Sequence, residues 1–236
     1  MNDHLAIFDI DGTLTATNAV DDECYCEAAA DLLGVTSTEI DWSEAPHMTD
    51  SAIADYLWKR YRHRSPTVQE ISQLQQRFIA LLEVELARAP DRFAPIGGAN
   101  EVVACLTADG WTVAIATGGW YRSAAMKLRA IGLSPGAVAM ASADDAHSRE
   151  EILRLAQRRA EIRAGGQFRV VVSVGDAPWD VRTAYKLGLP FVGVGSGSKA
   201  ERLRAAGAAV VLADLAYEPL LQALIQARVP VPDGIS

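Results

Sequence analysis

From about residue 98 onward the chain alternates short, unbroken apolar runs with stretches of helical periodicity. The apolar runs are Trp111–Ala116, residues 137–140, Arg169–Val174, Phe191–Val194 and Ala209–Leu212. Helical patterns fall between them at 99–109, 121–131, 149–163, 178–187, 199–206 and 215–227. A strand that is apolar at every position has to be covered on both faces. A parallel sheet with crossover helices on either side meets that need. The run Leu5 to Phe8 reads as one more buried strand, placed at the start of the chain.

Between that first strand and the next lie about a hundred residues. Residues 16–94 contain no defensible strand. Helical patterns there cover 18–34, 49–63 and 66–89. Asn18 and Gly34 read as the caps of the first helix, and Ser65-Pro66 as the start of the third, with proline at its first position. Pro90 and Pro95-Ile-Gly-Gly98 mark a boundary. The expected fold is therefore α/β: a Rossmann-like parallel sheet core with helices on both faces and an inserted α-helical cap. The core takes residues 1–15 and 95–236, and the cap takes 16–94. The insertion leaves from the carboxyl end of the first strand, where open α/β sheets bind ligands. It is placed to act as a lid. Residues 229–234, Val-Pro-Val-Pro-Asp-Gly, read as a loose tail.

Composition narrows the partners. A net charge of −8 argues against a basic groove for nucleic acid. No apolar run approaches the roughly 18 residues of a membrane span. The N-terminus lacks the basic and apolar regions of a signal peptide. Cys24 and Cys26 lie two apart on a predicted helix and so point in different directions; with Cys105 they read as plain thiols. These features fit a reducing, cytoplasmic setting and a monomer or weak homodimer.

The chemistry lies at the strand ends. The first strand runs into Asp9-Ile-Asp11-Gly12-Thr-Leu-Thr15. Residues two apart on a strand face one side, so Asp9 and Asp11 are expected to crowd together and require a compensating cation. Ile115-Ala-Thr117-Gly118-Gly119 offers a hydroxyl and backbone N–H groups before a helix. That suits an oxyanion, although Thr-Gly-Gly also makes an ordinary turn. Val174-Gly175-Asp176-Ala-Pro-Trp-Asp180 reads either as a helix N-cap with a first-turn acid or, taken with Asp9 and Asp11, as four acids at one sheet edge. A hard divalent ion such as Mg²⁺ is the natural occupant of such a cluster. Two cations compete for a place beside a bound anion: Arg149, which opens the helix before Asp176, and Lys127, on the helix after Thr117.

These motifs, in this order, resemble those of the haloacid dehalogenase-like superfamily of phosphohydrolases. The resemblance rests on Phe8-Asp-Ile-Asp-Gly-Thr-Leu14, on Thr117, and on Gly175-Asp176 with Asp180. The helical insertion is similar to that family's first cap class, as in beta-phosphoglucomutase-like and phosphoglycolate phosphatase-like proteins. The resemblance implies that Asp9 is a nucleophile that becomes an aspartyl-phosphate, and that Asp11 is the general acid and base. It implies that Thr117 and the next N–H hold a phosphoryl oxygen. Mg²⁺ would be held by Asp9, the Asp11 carbonyl and Asp176, with Asp180 as ligand or support. The family's third motif is usually lysine. Here no lysine occurs between Lys127 and Lys186, and Arg149 lies 27 residues before Asp176, near the expected spacing. Arginine keeps the charge without lysine's geometry. Ala177 also replaces a common second glycine.

The dehalogenase branch needs neither Asp11 nor an Asp-rich fourth motif. A phosphonatase would need a cap lysine, and Lys59 reads instead as a solvated helix residue. The leading expectation is a Mg²⁺-dependent phosphatase of a small phosphorylated metabolite. A phosphosugar mutase and a non-catalytic binding protein on the same fold are the alternatives. Substrate contacts are expected from Thr117, Gly118 and Lys127 and, if the loop over 42–50 faces the acids, from Thr49, Asp50 and His47. The favoured reading of Thr49 and Asp50 is a plain helix cap. The late segment Gly193-Val-Gly-Ser-Gly197-Ser reads as a loop leading into the next helix.

Overall fold

A computed structural model describes residues 3–231. Its sheet contains strands β1 (His4–Phe8), β2 (Trp111–Ala116), β3 (Ala139–Ala141), β4 (Val170–Gly175), β5 (Phe191–Val194) and β6 (Val211–Leu212). The strands are parallel and run in the order β3-β2-β1-β4-β5-β6. Helices α4 (Ala99–Ala108), α5 (Tyr121–Ala130), α6 (Arg149–Ala164), α7 (Pro178–Leu187) and α8 (Gly197–Ala205) lie between them, and α9 (Tyr217–Gln226) follows β6.

Strand alternation decides which helices cover which face. Ala6 and Phe8 of β1 join the apolar cluster of α4, α5 and α9. Leu5 and Ile7 point the other way, into α6. Both sets are buried, which is why the strand reads as one continuous apolar run. β1 lies centrally, with Phe8 level with Ile115 of β2 and Val174 of β4. Strand order reverses beside β1, so the carboxyl ends of β1, β2 and β4 open onto one crevice. Asp9, Thr117 and Asp176 are thereby neighbours.

The insertion forms α1 (Asn18–Leu33), α2 (Asp50–Arg62) and α3 (Val68–Arg88). Its apolar faces meet around Tyr25, Leu57, Trp58, Leu74, Phe78 and Leu82. Trp120, from the loop after β2, enters this cluster and stacks on Tyr25 with ring centroids 5.7 Å apart.

Several local expectations are corrected. α3 begins at Val68, not at Pro66. Thr67 is its cap, accepting from Glu70 N at 3.2 Å while Glu70 accepts from Thr67 N at 2.7 Å. That reciprocal box satisfies two otherwise unpaired N–H groups, which outweighs a favoured proline. Thr17, not Asn18, occupies the cap position of α1, and the Asn18 side chain turns to Asp176 in the crevice beyond β1 and β4. Gly34 does close α1, in the left-handed conformation. The cysteines are free thiols. The tail is not loose as far as it is described: Phe191 N donates to Arg228 O at 3.0 Å and Val231 N to Gly207 O at 3.2 Å. Residues 232–234 of that expected tail lie outside the described residues. Among the described residues no helix is long and apolar enough to cross a membrane.

Candidate active site

The crevice at the carboxyl ends of β1, β2 and β4 holds a cavity of about 140 Å³. Asp9, Asp11, Thr117, Gly118, Arg149 and Asp176 line its floor. Asp9, Asp176 and Asp180 are all buried, and each can offer one carboxylate oxygen within 4.8 Å of the others. Burial, above all, pushes the Asp9 carboxyl well above its usual range; Arg149 opposes this, while Asp180, Asp176 and Asp11 add to it.

Asp11 departs from expectation. The strand ends at Phe8, and Ile10 turns into the core. A tight loop follows, in which the N–H groups of Thr13, Leu14 and Thr15 all converge on the Ile10 carbonyl. The Asp11 carboxylate is therefore not in the cluster with Asp9. Its Oδ1 accepts from Thr17 Oγ1 at 2.5 Å and pairs with Lys127 Nζ at 2.6 Å. Gly12 is held at φ +75°, and a Cβ there would strike the Asp176 carboxylate and the Asn18 amide.

The two candidate cations separate cleanly. Arg149, the first residue of α6, donates through Nη2 to Asp9 Oδ1 at 3.1 Å and to Asp180 Oδ1 at 2.5 Å. Its Nη1 reaches Met48 O at 3.1 Å, tying the cap loop to the site. Lys127 is wholly buried between Asp11 and Asp21 and does not line the cavity. The expectation that it touches substrate is corrected. Burial works against its ammonium charge, but Asp11 and Asp21 outweigh this and hold it protonated. Two carboxylates share that one lysine, and burial pushes Asp21 up to about 7 despite it.

The Gly-Asp motif is resolved by packing. The Asp180 Oδ2 accepts from the N–H groups of Asp176 and Ala177 at 3.2 and 3.1 Å. A Cβ on Gly175 would collide with that carboxylate. Asp180 thus caps its own helix, α7, from the first turn. Of the two readings of Asp176, the helix-cap one fails, because Ala177 occupies that position. The Asp176 Oδ2 instead accepts from Asn18 Nδ2 at 3.0 Å and pairs with Lys199 Nζ at 2.6 Å.

Thr117 is buried at the end of β2, and its Oγ1 accepts from Gly119 N at 3.1 Å. A Cβ on Gly118 would strike Arg149 Nη1 and the Met48 carbonyl, so glycine lets the cap loop and the arginine close over this turn. The amino end of α5 is not free for an anion. Asp50 Oδ2 accepts from Trp120 N at 2.8 Å, and Asp144 Oδ2 accepts from Tyr121 N at 2.6 Å.

The cap side of the cavity carries Thr49 and Asp50, as expected. Thr49 is committed as a cap, accepting from Ala52 N at 3.3 Å and donating to His147 O at 2.7 Å. His47 does not line the cavity; it sits 4.0 Å from Glu150 in a neighbouring depression. Lys59 is exposed and paired with Asp55 at 2.7 Å.

Lys199, Asn18 and the cap acids Asp21 and Asp22 escaped sequence reasoning. The signal for Lys199 was the glycine-rich segment before it, which gained meaning only once β5 lay beside β4.

The donors fit a hard divalent ion. Arg149 takes Asp9 Oδ1 and Asp180 Oδ1, backbone takes Asp180 Oδ2, and Lys199 and Asn18 take Asp176 Oδ2. That leaves one oxygen each on Asp9 and Asp176 without a protein donor. Mg²⁺ is typically bound by one or two carboxylates with water and substrate oxygens completing its shell.

Solved structures share this fold. A hydrolase from Pseudomonas syringae is 22% identical, with a TM-score of 0.69 over 94% of this chain and 98% of that one. CbbY from Rhodobacter sphaeroides, solved in complex with phosphate, is 19% identical, with a TM-score of 0.65 over 92% and 96%. A beta-phosphoglucomutase from Clostridium difficile is 14% identical, with a TM-score of 0.64 over 96% and 98%. No curated protein sequence matches significantly. The family model of haloacid dehalogenase-like hydrolases matches residues 4–188, a span that holds Asp9, Asp11, Thr117, Arg149, Asp176 and Asp180. The chain belongs to the haloacid dehalogenase-like hydrolases.

Proposed function

We propose that this hydrolase removes phosphate from a small phosphorylated metabolite, through an aspartyl-phosphate on Asp9 and with Mg²⁺ as cofactor. The observation that carries this reading is the division of labour between Asp9 and Asp11. Asp9 lies among buried oxygen donors with Arg149 alongside, while Asp11 lines the same cavity on a separate lysine. A dehalogenase has no use for the second acid.

Asp9 and Asp176 would hold Mg²⁺, which would neutralise phosphoryl charge and fix the ester against Asp9. An Asp9 oxygen attacks phosphorus and the ester oxygen leaves. Asp11 Oδ2, which has no protein donor, gives that oxygen its proton. A water then attacks the acyl phosphate, Asp11 takes its proton, and inorganic phosphate departs with the Asp9 carboxylate restored. Thr117 and Arg149 lie beside the phosphoryl oxygens and offset their charge. Asp180 holds Arg149 in place.

The cap wall also bears on the substrate. Asp21, Asp22 and Asp50 line it. A carboxylate on the leaving group would face these acids, above all Asp22, which burial raises only to about 6 and which is therefore ionised at pH 7 to 8. Phosphorylated sugars and amino alcohols are expected to outperform phosphorylated hydroxy acids by about tenfold in kcat/KM.

Release of phosphate from p-nitrophenyl phosphate, followed by a panel of such esters, tests the reading. Turnover should require Mg²⁺ and vanish in Asp9→Asn. Metal-independent turnover, or an active Asp9→Asn, would overturn it. Isomerised sugar phosphate with no free phosphate would identify a mutase instead.

A further inference from the structure

Lys199 lies outside the span matched by the family model, yet it reaches the centre of the site. Its Nζ pairs with Asp176 Oδ2 at 2.6 Å and donates to the Gly12 carbonyl at 3.0 Å. It thereby ties the loop after β1 to the acid after β4. The contact is built into the backbone. Any Cβ on Gly195 would strike the Lys199 stem, with Cγ and Cδ both 2.8 Å away, so the glycine makes room for that stem. Lys199 also sits in the first turn of α8, where a cation opposes the helix dipole. Its ion pair must offset that penalty.

Charge is the deciding quantity. Three carboxylates, Asp9, Asp176 and Asp180, face two cations, Arg149 and Lys199. One net negative charge remains. Without Lys199 it would be two, drawing a divalent ion more strongly and holding a phosphate less well. We propose that Lys199 is a built-in counter-cation that stabilises the metal-free carboxylate cluster, weakens Mg²⁺ binding and strengthens phosphate binding. This rests on the magnesium-dependent reading above. Lys199 is a positioning residue in this scheme, because it acts through Asp176.

The test is calorimetric titration of Mg²⁺ into wild type, Lys199→Met, Lys199→Arg and the remote control Lys59→Met, with thermal melts of each. Lys199→Met should bind Mg²⁺ on the order of tenfold more tightly, the size by which one charge moves a neighbouring ionic equilibrium. Its metal-free Tm should fall, and the Tm rise on adding Mg²⁺ should grow. Inorganic phosphate should inhibit it about tenfold less well. Lys199→Arg and Lys59→Met should bind Mg²⁺ within about twofold of wild type. A purely structural role would weaken metal and phosphate binding together. A folded Lys199→Met that binds Mg²⁺ no more tightly than wild type overturns the proposal. If that variant does not fold, Lys199→Gln gives the same comparison. A wild type that takes up no Mg²⁺ at all would instead defeat the magnesium reading itself.

Discussion

Replacing Asp9 by asparagine should abolish turnover and, in the metal-free protein, raise stability. Asparagine keeps the shape and removes the charge. Asp176 and Asp180 offer oxygens within 4.8 Å of an Asp9 oxygen. At an effective dielectric near 20, each then repels the ionised Asp9 by roughly 3–4 kcal/mol. Arg149, 3.1 Å from Asp9 Oδ1, returns about 5 kcal/mol of attraction on the same scale. Repulsion exceeds attraction by about 2 kcal/mol, before counting the desolvation that burial imposes on Asp9. For a chain of this length that corresponds to a rise in Tm of about 4–8 °C. Scanning calorimetry in chelator, beside an assay of phosphate release, reads both effects. Added Mg²⁺ should reverse the order, because only wild type offers the ion both carboxylates, Asp9 and Asp176. If Asp9→Asn melts below wild type without metal, the cluster is not under the repulsion described here.

Other outcomes follow from the same geometry. Gly12→Ala would place a side chain in the left-handed region and against Asp176. It should cost about 3 kcal/mol of stability and most of the activity, measured by denaturant melts and phosphate release. Metal-free stability should also depend on pH. Burial raises the Asp21 carboxyl to about 7 from an ordinary carboxylate value. A raised acid binds more protons folded than unfolded, so stability falls as pH rises from about 4 through 7. Denaturant melts in chelator should show the protein about 1 kcal/mol more stable at pH 6 than at pH 8. A flat profile would mean that Lys127 neutralises Asp21 alone.

The order of strands and helices was legible because each element carries a local signal. Continuous apolar runs mark strands buried on both faces, and Gly34 and Thr49 terminate helices by their own backbone or hydroxyl chemistry. The placement of Asp9, Thr117 and Asp176 was legible for a related reason. In a parallel sheet all carboxyl ends lie at one edge, so a residue just past a strand is committed to that edge wherever its strand falls in sequence. Local rules failed where a distant partner outbid them. Asn18 left its capping role for Asp176, 158 positions away, and the amino end of α5 was taken by Asp50 and Asp144.

What only the tertiary structure decided was the pairing of charges. The sequence showed acids in excess and several cations that could serve them, and nothing local distinguishes one pairing from another. Bringing β4 between β1 and β5 put Arg149 on Asp9 and Asp180, and Lys199 on Asp176. The turn after β1 swung Asp11 away to Lys127. Hydrophobic periodicity is written within a few neighbouring residues and survives in the sequence alone. An ion pair is a distance in space, and here that distance is fixed by the order in which the strands lie.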